Sequence, residues 1–137
     1  MKRILKIVTF TAAIIPLYWA GMALASPPAS VVGYWSLLSG QTQEDLEITR
    51  QDSYPAGACE KIIGTIRGIA PIHGIYCPDT GRIQMVHENV ATNYTVRVFT
   101  GNLAEEVYGQ PLRMAGTFTV LYQTFGTFGE YGFSASQ

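Results

Sequence analysis

The sequence predicts an all-β domain: eight antiparallel strands joined as an up-and-down meander and closed into a barrel. Three observations carry that expectation. Apolar and aromatic residues recur with period two in short runs spaced about ten residues apart, the pattern of half-buried strands and not of helices. The runs are bounded by Gly, Pro, Asp and Asn turn chemistry, and no connection is long enough for the return of a Greek key. Strands this apolar also need their sheet edges removed, which closure does.

Residues 1–25 stand apart from the barrel. Lys2, Arg3 and Lys6 precede the apolar run Ile7 to Ile15, and Ala23-Leu24-Ala25 forms a small-x-small pattern before Ser26. This reads as a signal peptide, and Pro16 with the cleavage pattern favours it over a membrane anchor of nearly spanning length. No cysteine follows the apolar run, which argues against a lipid anchor. The expected location is therefore secreted or periplasmic. Loss of the leader removes three of nine basic and none of ten acidic residues, leaving six against ten and a charge of −4. With no basic cluster, nucleic acid and anionic membrane surfaces are poor partners.

Residues 26–31, Ser-Pro-Pro-Ala-Ser-Val, read as a flexible arm, and residues 32–137 as the barrel domain. The first strand is Val32 to Leu38, with Gly33, Trp35 and Leu37 on one face. The second, Asp45 to Arg50, places Leu46 and Ile48 inward and Glu47 and Thr49 outward. Residues 52–57 form an open polar loop. The third strand runs from Cys59 to Arg67 and the fourth from Ile72 to Cys77, around Gly68. After the turn Pro78-Asp79-Thr80-Gly81 comes the fifth, Arg82 to His87, with Ile83, Met85 and His87 sharing a face. In the sixth, Tyr94 to Thr100, Val96 and Val98 are expected inward and Arg97 outward. Asn102 to Gln110 has room for one helical turn around residues 104–107. The last hairpin joins Leu112 to Leu121, with Leu112, Met114, Phe118 and Val120 on one face, to Thr127 to Ala135, with Gly129, Tyr131 and Phe133 on one face. Its connection, residues 122–126, suits a tight turn.

Cys59 and Cys77 are the two cysteines, and an even count in an exported chain predicts a disulfide. Register supports it: a third-to-fourth-strand hairpin centred on Gly68 pairs residues whose numbers total about 136, as 59 and 77 do. A metal site with His73 and His87 is the weaker alternative, because no ligand spacing unites them. No cofactor is implied.

Gly33-Tyr34-Trp35 on the first strand, feeding such a meander, resembles the calycin barrels, lipocalins and avidins. Gly64-Thr65-Ile66, Gly74-Ile75-Tyr76 and Ala115-Gly116-Thr117-Phe118 are similar to the Gly-x-aromatic phrasing of avidin strands. The resemblance implies fold more than ligand. Avidins typically carry a polar amide where this chain has Leu37 and a tyrosine where it has Ile66, and stack biotin on several tryptophans, while Trp35 is the only one after residue 25. Biotin recognition does not transfer.

The expected ligand set is the inward residues Trp35, Tyr76, Met85, His87, Phe118 and Tyr131, in which apolar walls carry a few polar tips. Trp35 is expected to plug one barrel end. Gly64, Gly74, Gly116 and Gly129, also inward, either permit tight strand coiling or hollow out a cavity. Arg97, Arg113 and Glu130 are expected in exposed cross-strand pairs, and Asn93-Tyr94-Thr95 fits a glycosylation acceptor. Neither a nucleophile elbow nor a nucleotide loop is present, and Glu105 and Glu106 do not converge as a catalytic pair, so catalysis is not expected. Three readings follow. The first is an exported barrel that binds a small, mainly apolar ligand. The second is an exported barrel that binds a protein through its loops, such as a protease inhibitor. The third is an oligomerising module resting on outward Ile63, Phe99, Leu121 and Phe128.

Overall fold

The structure, a computed structural model, describes residues 26–53, 55, 58–89, 95–104, 108–122 and 129–137. Eight strands follow in chain order: β1 Gly33–Ser39, β2 Thr42–Asp52, β3 Glu60–Ile66, β4 Ala70–Cys77, β5 Arg82–Asn89, β6 Thr95–Leu103, β7 Arg113–Tyr122 and β8 Gly129–Ser136. Each is antiparallel to the next, and β8 returns to β1 to complete a closed barrel. The expected fold class holds. The closing seam is the shortest ladder, Ser36–Ser39 against Phe133–Ser136, extended by the Gly40 N–H donating to the Gly132 carbonyl (3.0 Å).

Period two decides what fills the interior. Trp35, Leu37, Leu46, Ile48, Ile62, Ile66, Ile72, Tyr76, Ile83, Met85, Phe99, Phe118 and Phe133 are all buried in one core. An eight-stranded barrel has an interior about wide enough for such side chains to fill. The inward glycines let the strands close on it. A Cβ at Gly64 would sit 1.9 Å from the Glu47 carbonyl oxygen, and one at Gly116 would sit 2.1 Å from that of Thr100 and 2.9 Å from the Phe133 ring. The tight-coiling reading of these positions is the one the geometry supports.

The sixth strand is a correction. Its expected phase is reversed: Arg97, Phe99, Gly101 and Leu103 face inward, and Val96 and Val98 lie half-buried outside. The strand runs on to Leu103, beyond the expected end at Thr100, and Met85↔Phe99↔Phe118 and Ile83↔Gly101↔Gly116 lock it between β5 and β7. Burying Phe99 and Leu103 removes more apolar surface from water than burying two valines. Phe99 stacks on Phe118 (centroids 5.1 Å) and meets Phe133 edge-on (5.3 Å), so it is no outer interaction residue. Ile63 is half-buried and Leu121 is exposed on the outside, as expected. Arg113 and Glu130 are exposed, but they face Ser136 and Thr119 and not opposite charges.

The β3–β4 register follows the expected hairpin, Glu60↔Tyr76 through Ile66↔Ala70, and Cys59 is bonded to Cys77. Several expectations fall outside the described residues: the leader 1–25, the acceptor pair Asn93-Tyr94, the helical turn at Glu105 to Val107 with both glutamates, the turn residues 123–126, and Thr127 with Phe128.

Candidate functional site

The two barrel ends differ. One is closed by the stretch expected to be a loose arm. Pro28 and Val31 are buried there, and their backbone is tied into the barrel. Trp35 Nε1 donates to the Val31 carbonyl (3.0 Å), and the Tyr76 hydroxyl donates to that of Pro28 (2.5 Å). Gln51 Oε1 accepts from Val31 N (2.8 Å), and its amide donates to Ala29 O (2.9 Å) and to Glu60. Gln51 reaches this position because the β2–β3 register shifts between Ile48 and Arg50, a bulge that turns an odd-numbered side chain inward. The lead-in is a plug because it supplies backbone carbonyls and amides to polar side chains that would otherwise be buried alone.

The other end holds a pocket of about 560 Å³ lined by Ser39, Gly40, Gln41, Thr42, Glu44, Arg67, His87, Thr95, Arg97, Phe118, Val120 and Tyr131. Its centre is a buried ion pair that spans the barrel. Arg97 Nη1 donates to Glu44 Oε2 (2.6 Å), and Nη2 donates to Oε1 (3.3 Å). Ser39 Oγ accepts from Arg97 Nη1 (3.2 Å) and donates to Glu44 Oε2 (2.9 Å). Arg67 reaches the same carboxylate from the β3–β4 turn, Nε to Oε1 3.2 Å, with its side chain 60% exposed against 6% for Glu44. Burial alone would raise the Glu44 pKa; hydrogen bonds from Arg97 and Ser39 and the two guanidinium charges reverse this and leave it below the ordinary carboxylate value. Below the pair, the Arg97 guanidinium lies 5.6 Å over the Phe99 ring.

His87 stands beside Arg97 and is buried. Its Nδ1 accepts from Arg97 Nε (3.2 Å). A guanidinium can only donate, so Nδ1 carries the lone pair, and the proton of the neutral ring is on Nε2. Burial first, then the charge of Arg97, pushes the His87 pKa down to about 4. The ring is neutral at pH 7, and its protonation belongs to the acid range. Nε2 has no hydrogen-bond partner among the described residues.

The expected ligand set divides. His87, Phe118 and Tyr131 line the pocket; Tyr131 is 47% exposed and lies against Phe118 (centroids 5.4 Å), its ring over the bare backbone of Gly129. Trp35 and Tyr76 are at the opposite end, and Met85 is buried between Gly74 and Phe99 in the filled middle, so these three do not line this pocket. The cause is length: inward phase fixes which wall a residue faces, not its height along the barrel axis.

Glu44, Arg67, Arg97 and Ser39 were not in the expected set. Glu44 was legible, since it stands two residues before Leu46 in the same alternation. Arg97 was hidden by the reversed phase of β6, and Arg67 by its place in a turn. Two depressions on the outside, lined largely by outward residues such as Ser36, Leu38, Arg113 and Ser134, or Tyr34, Asp45 and Glu47, contain no buried ion pair. No group of three or more His, Cys, Asp or Glu among the described residues is placed to hold a metal ion. No protein-family model matches the sequence, and comparison with curated proteins finds no match.

Proposed function

We propose that the protein is an exported, non-catalytic member of the calycin-like barrels that binds one small molecule at the pocket end. The observation that supports this most is the asymmetry of the two ends. The chain's own N-terminal segment plugs one, while the other keeps a pocket of about 560 Å³ lined mostly by polar and charged side chains, with Phe118, Val120 and Tyr131 as its apolar part. The filled interior beneath restricts the ligand to the mouth. The bonded cysteine pair fits an oxidising compartment, as the leader-like residues 1–25 do.

The test is ligand-induced thermal shift across a library of small ring-bearing compounds with wild type, Tyr131→Ala and His87→Ala. Wild type should shift with a subset and both variants should lose that response. An unchanged response in both variants places binding elsewhere. The filled interior also favours a second reading, a protein-binding barrel acting through its loops, such as an exported protease inhibitor. That reading wins if no small molecule shifts the protein and substitutions in the Ser39–Thr42 turn abolish capture of a protein partner.

A further inference from the structure

We propose that the pocket end selects a small aromatic monocarboxylate, with Arg67 as the residue that recognises its charge. The inference rests on the small-ligand reading of the pocket and narrows it to one ligand class. The first support is a charge count. Two guanidinium groups, Arg67 and Arg97, face one carboxylate, Glu44, beside a neutral imidazole, so the residues lining the pocket hold one more cation than anion. Arg97 is committed to Glu44 through two hydrogen bonds and is 86% buried, whereas Arg67 holds Glu44 through Nε and leaves most of its side chain to solvent. The other carboxylates near this end lie on the outer phase, Asp45, Glu88 and Glu130 exposed and Glu47 half-buried; Arg67 borders the outer depression that Asp45 and Glu47 line, but its Nε is given to Glu44. The connecting residues 90–94 and 123–128 contain no Asp, Glu, Lys, Arg or His that would change the count.

The second support is where Arg67 stands. Ile69 N donates to Ile66 O (3.4 Å) within the three-residue connection 67–69 between the paired Ile66 and Ala70, and Arg67 and Gly68 in it have φ of 56° and 70°. Two successive positive φ values suit Gly, Asn or Asp, which enter the left-handed region most easily. An arginine there opposes the turn's own preference, and strain of this kind is held where the side chain has work to do. What the side chain does is present a guanidinium at the pocket rim.

The third support is the pair of neutral features in the wall. Among the described residues His87 Nε2–H is a buried donor without an acceptor, an arrangement that costs stability unless a partner arrives. The exposed Tyr131 ring, stacked on Phe118, offers a flat apolar face. A carboxylate supplies the acceptor and the counter-charge together, and an aromatic body supplies the stacking partner. A cation would meet the extra guanidinium instead.

The experiment is calorimetric titration of the disulfide-bonded protein with 1-naphthoate, its neutral isostere 1-naphthamide and the cation 1-naphthylmethylammonium. Naphthoate should bind roughly five- to tenfold more tightly than the amide at low ionic strength, a preference that shrinks with added salt, and the cation should bind weakest. Arg67→Asn should abolish the preference while leaving amide binding in place, and Arg67→Lys should keep most of it. Asn suits the turn, so Arg67→Asn should unfold at the same temperature or higher, which separates lost recognition from lost structure. Equal binding of naphthoate and amide, or a preference that survives Arg67→Asn, overturns the inference and leaves the small-ligand reading standing. Binding of none of the three overturns the inference, and failure of the wider library would remove the small-ligand reading with it.

Discussion

The plugged end and the pocket end of this barrel terminate the same eight strands in opposite ways. At the plugged end the polar groups of Trp35, Tyr76 and Gln51 are neutral, and each meets backbone of the lead-in, so burial leaves little unsatisfied. At the pocket end the polar groups are charged and, among the described residues, their numbers do not match: two cations share Glu44, and one imidazole N–H has no acceptor. Matched neutral groups make a plug. Mismatched charged groups mark the candidate site, because a carboxylate and a guanidinium held in a buried wall cost several kcal/mol to desolvate and persist only in strict mutual geometry.

That contrast is broken most forcefully at Glu44. Glu44→Ala leaves Arg97 buried without its counter-ion, and denaturant unfolding should show a loss of about 3–5 kcal/mol. Glu44→Leu with Arg97→Leu should recover most of it, since both charges leave together. A double variant as unstable as Glu44→Ala would mean that packing, and not the ion pair, governs this end. The matching operation on the other side is Cys59→Ser with Cys77→Ser, which unties β3 from β4 close to the plug. A stability loss of about 3 kcal/mol is expected, with ligand responses at the pocket end unchanged in the folded fraction.

Acid should distinguish the ends without mutation. His87 is held neutral, its pKa lowered from 6.5 to about 4, so the unfolded chain binds a proton that the folded chain refuses. Stability on this account is complete above pH 6.5 and is lost as pH falls toward 4, by up to about 3 kcal/mol. Glu44, with its pKa lowered, adds a further loss below its ordinary value of 4.5. Urea midpoints from pH 7.5 to 4 should fall in wild type and fall less in His87→Gln; equal slopes would remove His87 as the cause. The smallest effect is at the plug. Tyr76→Phe deletes the donor to the Pro28 carbonyl and should cost about 1–2 kcal/mol, read by thermal unfolding, and leave pH dependence between 7.5 and 4 untouched because the Tyr76 pKa is raised to about 12 by burial.

Much of the barrel was readable from residues alone. Strict alternation identified the inward sets Trp35 with Leu37, Leu46 with Ile48, Ile83 with Met85 and His87, and Met114 with Phe118 and Val120. It failed on β6, where Val96, Val98 and Phe99 give both phases apolar members, and only pairing with β5 and β7 breaks the tie. The site was half readable: His87, Phe118 and Tyr131 by phase, but neither arginine. A charged residue on an apolar strand looks outward until its buried partner is known, and Glu44 lies 53 positions away from Arg97.

Local pattern by itself determined the strand order, the hairpin register that brings Cys59 to Cys77, and the inward faces of all but one strand, because period two and turn chemistry are properties of neighbouring residues. Tertiary structure decided the rest. The height of each inward residue along the barrel axis, the use of residues 26–31 as a plug, and the meeting of Glu44, Arg67, His87 and Arg97 at one mouth all depend on strands far apart in sequence. Closure of the barrel, acting on every strand at once, sets which of them share an end.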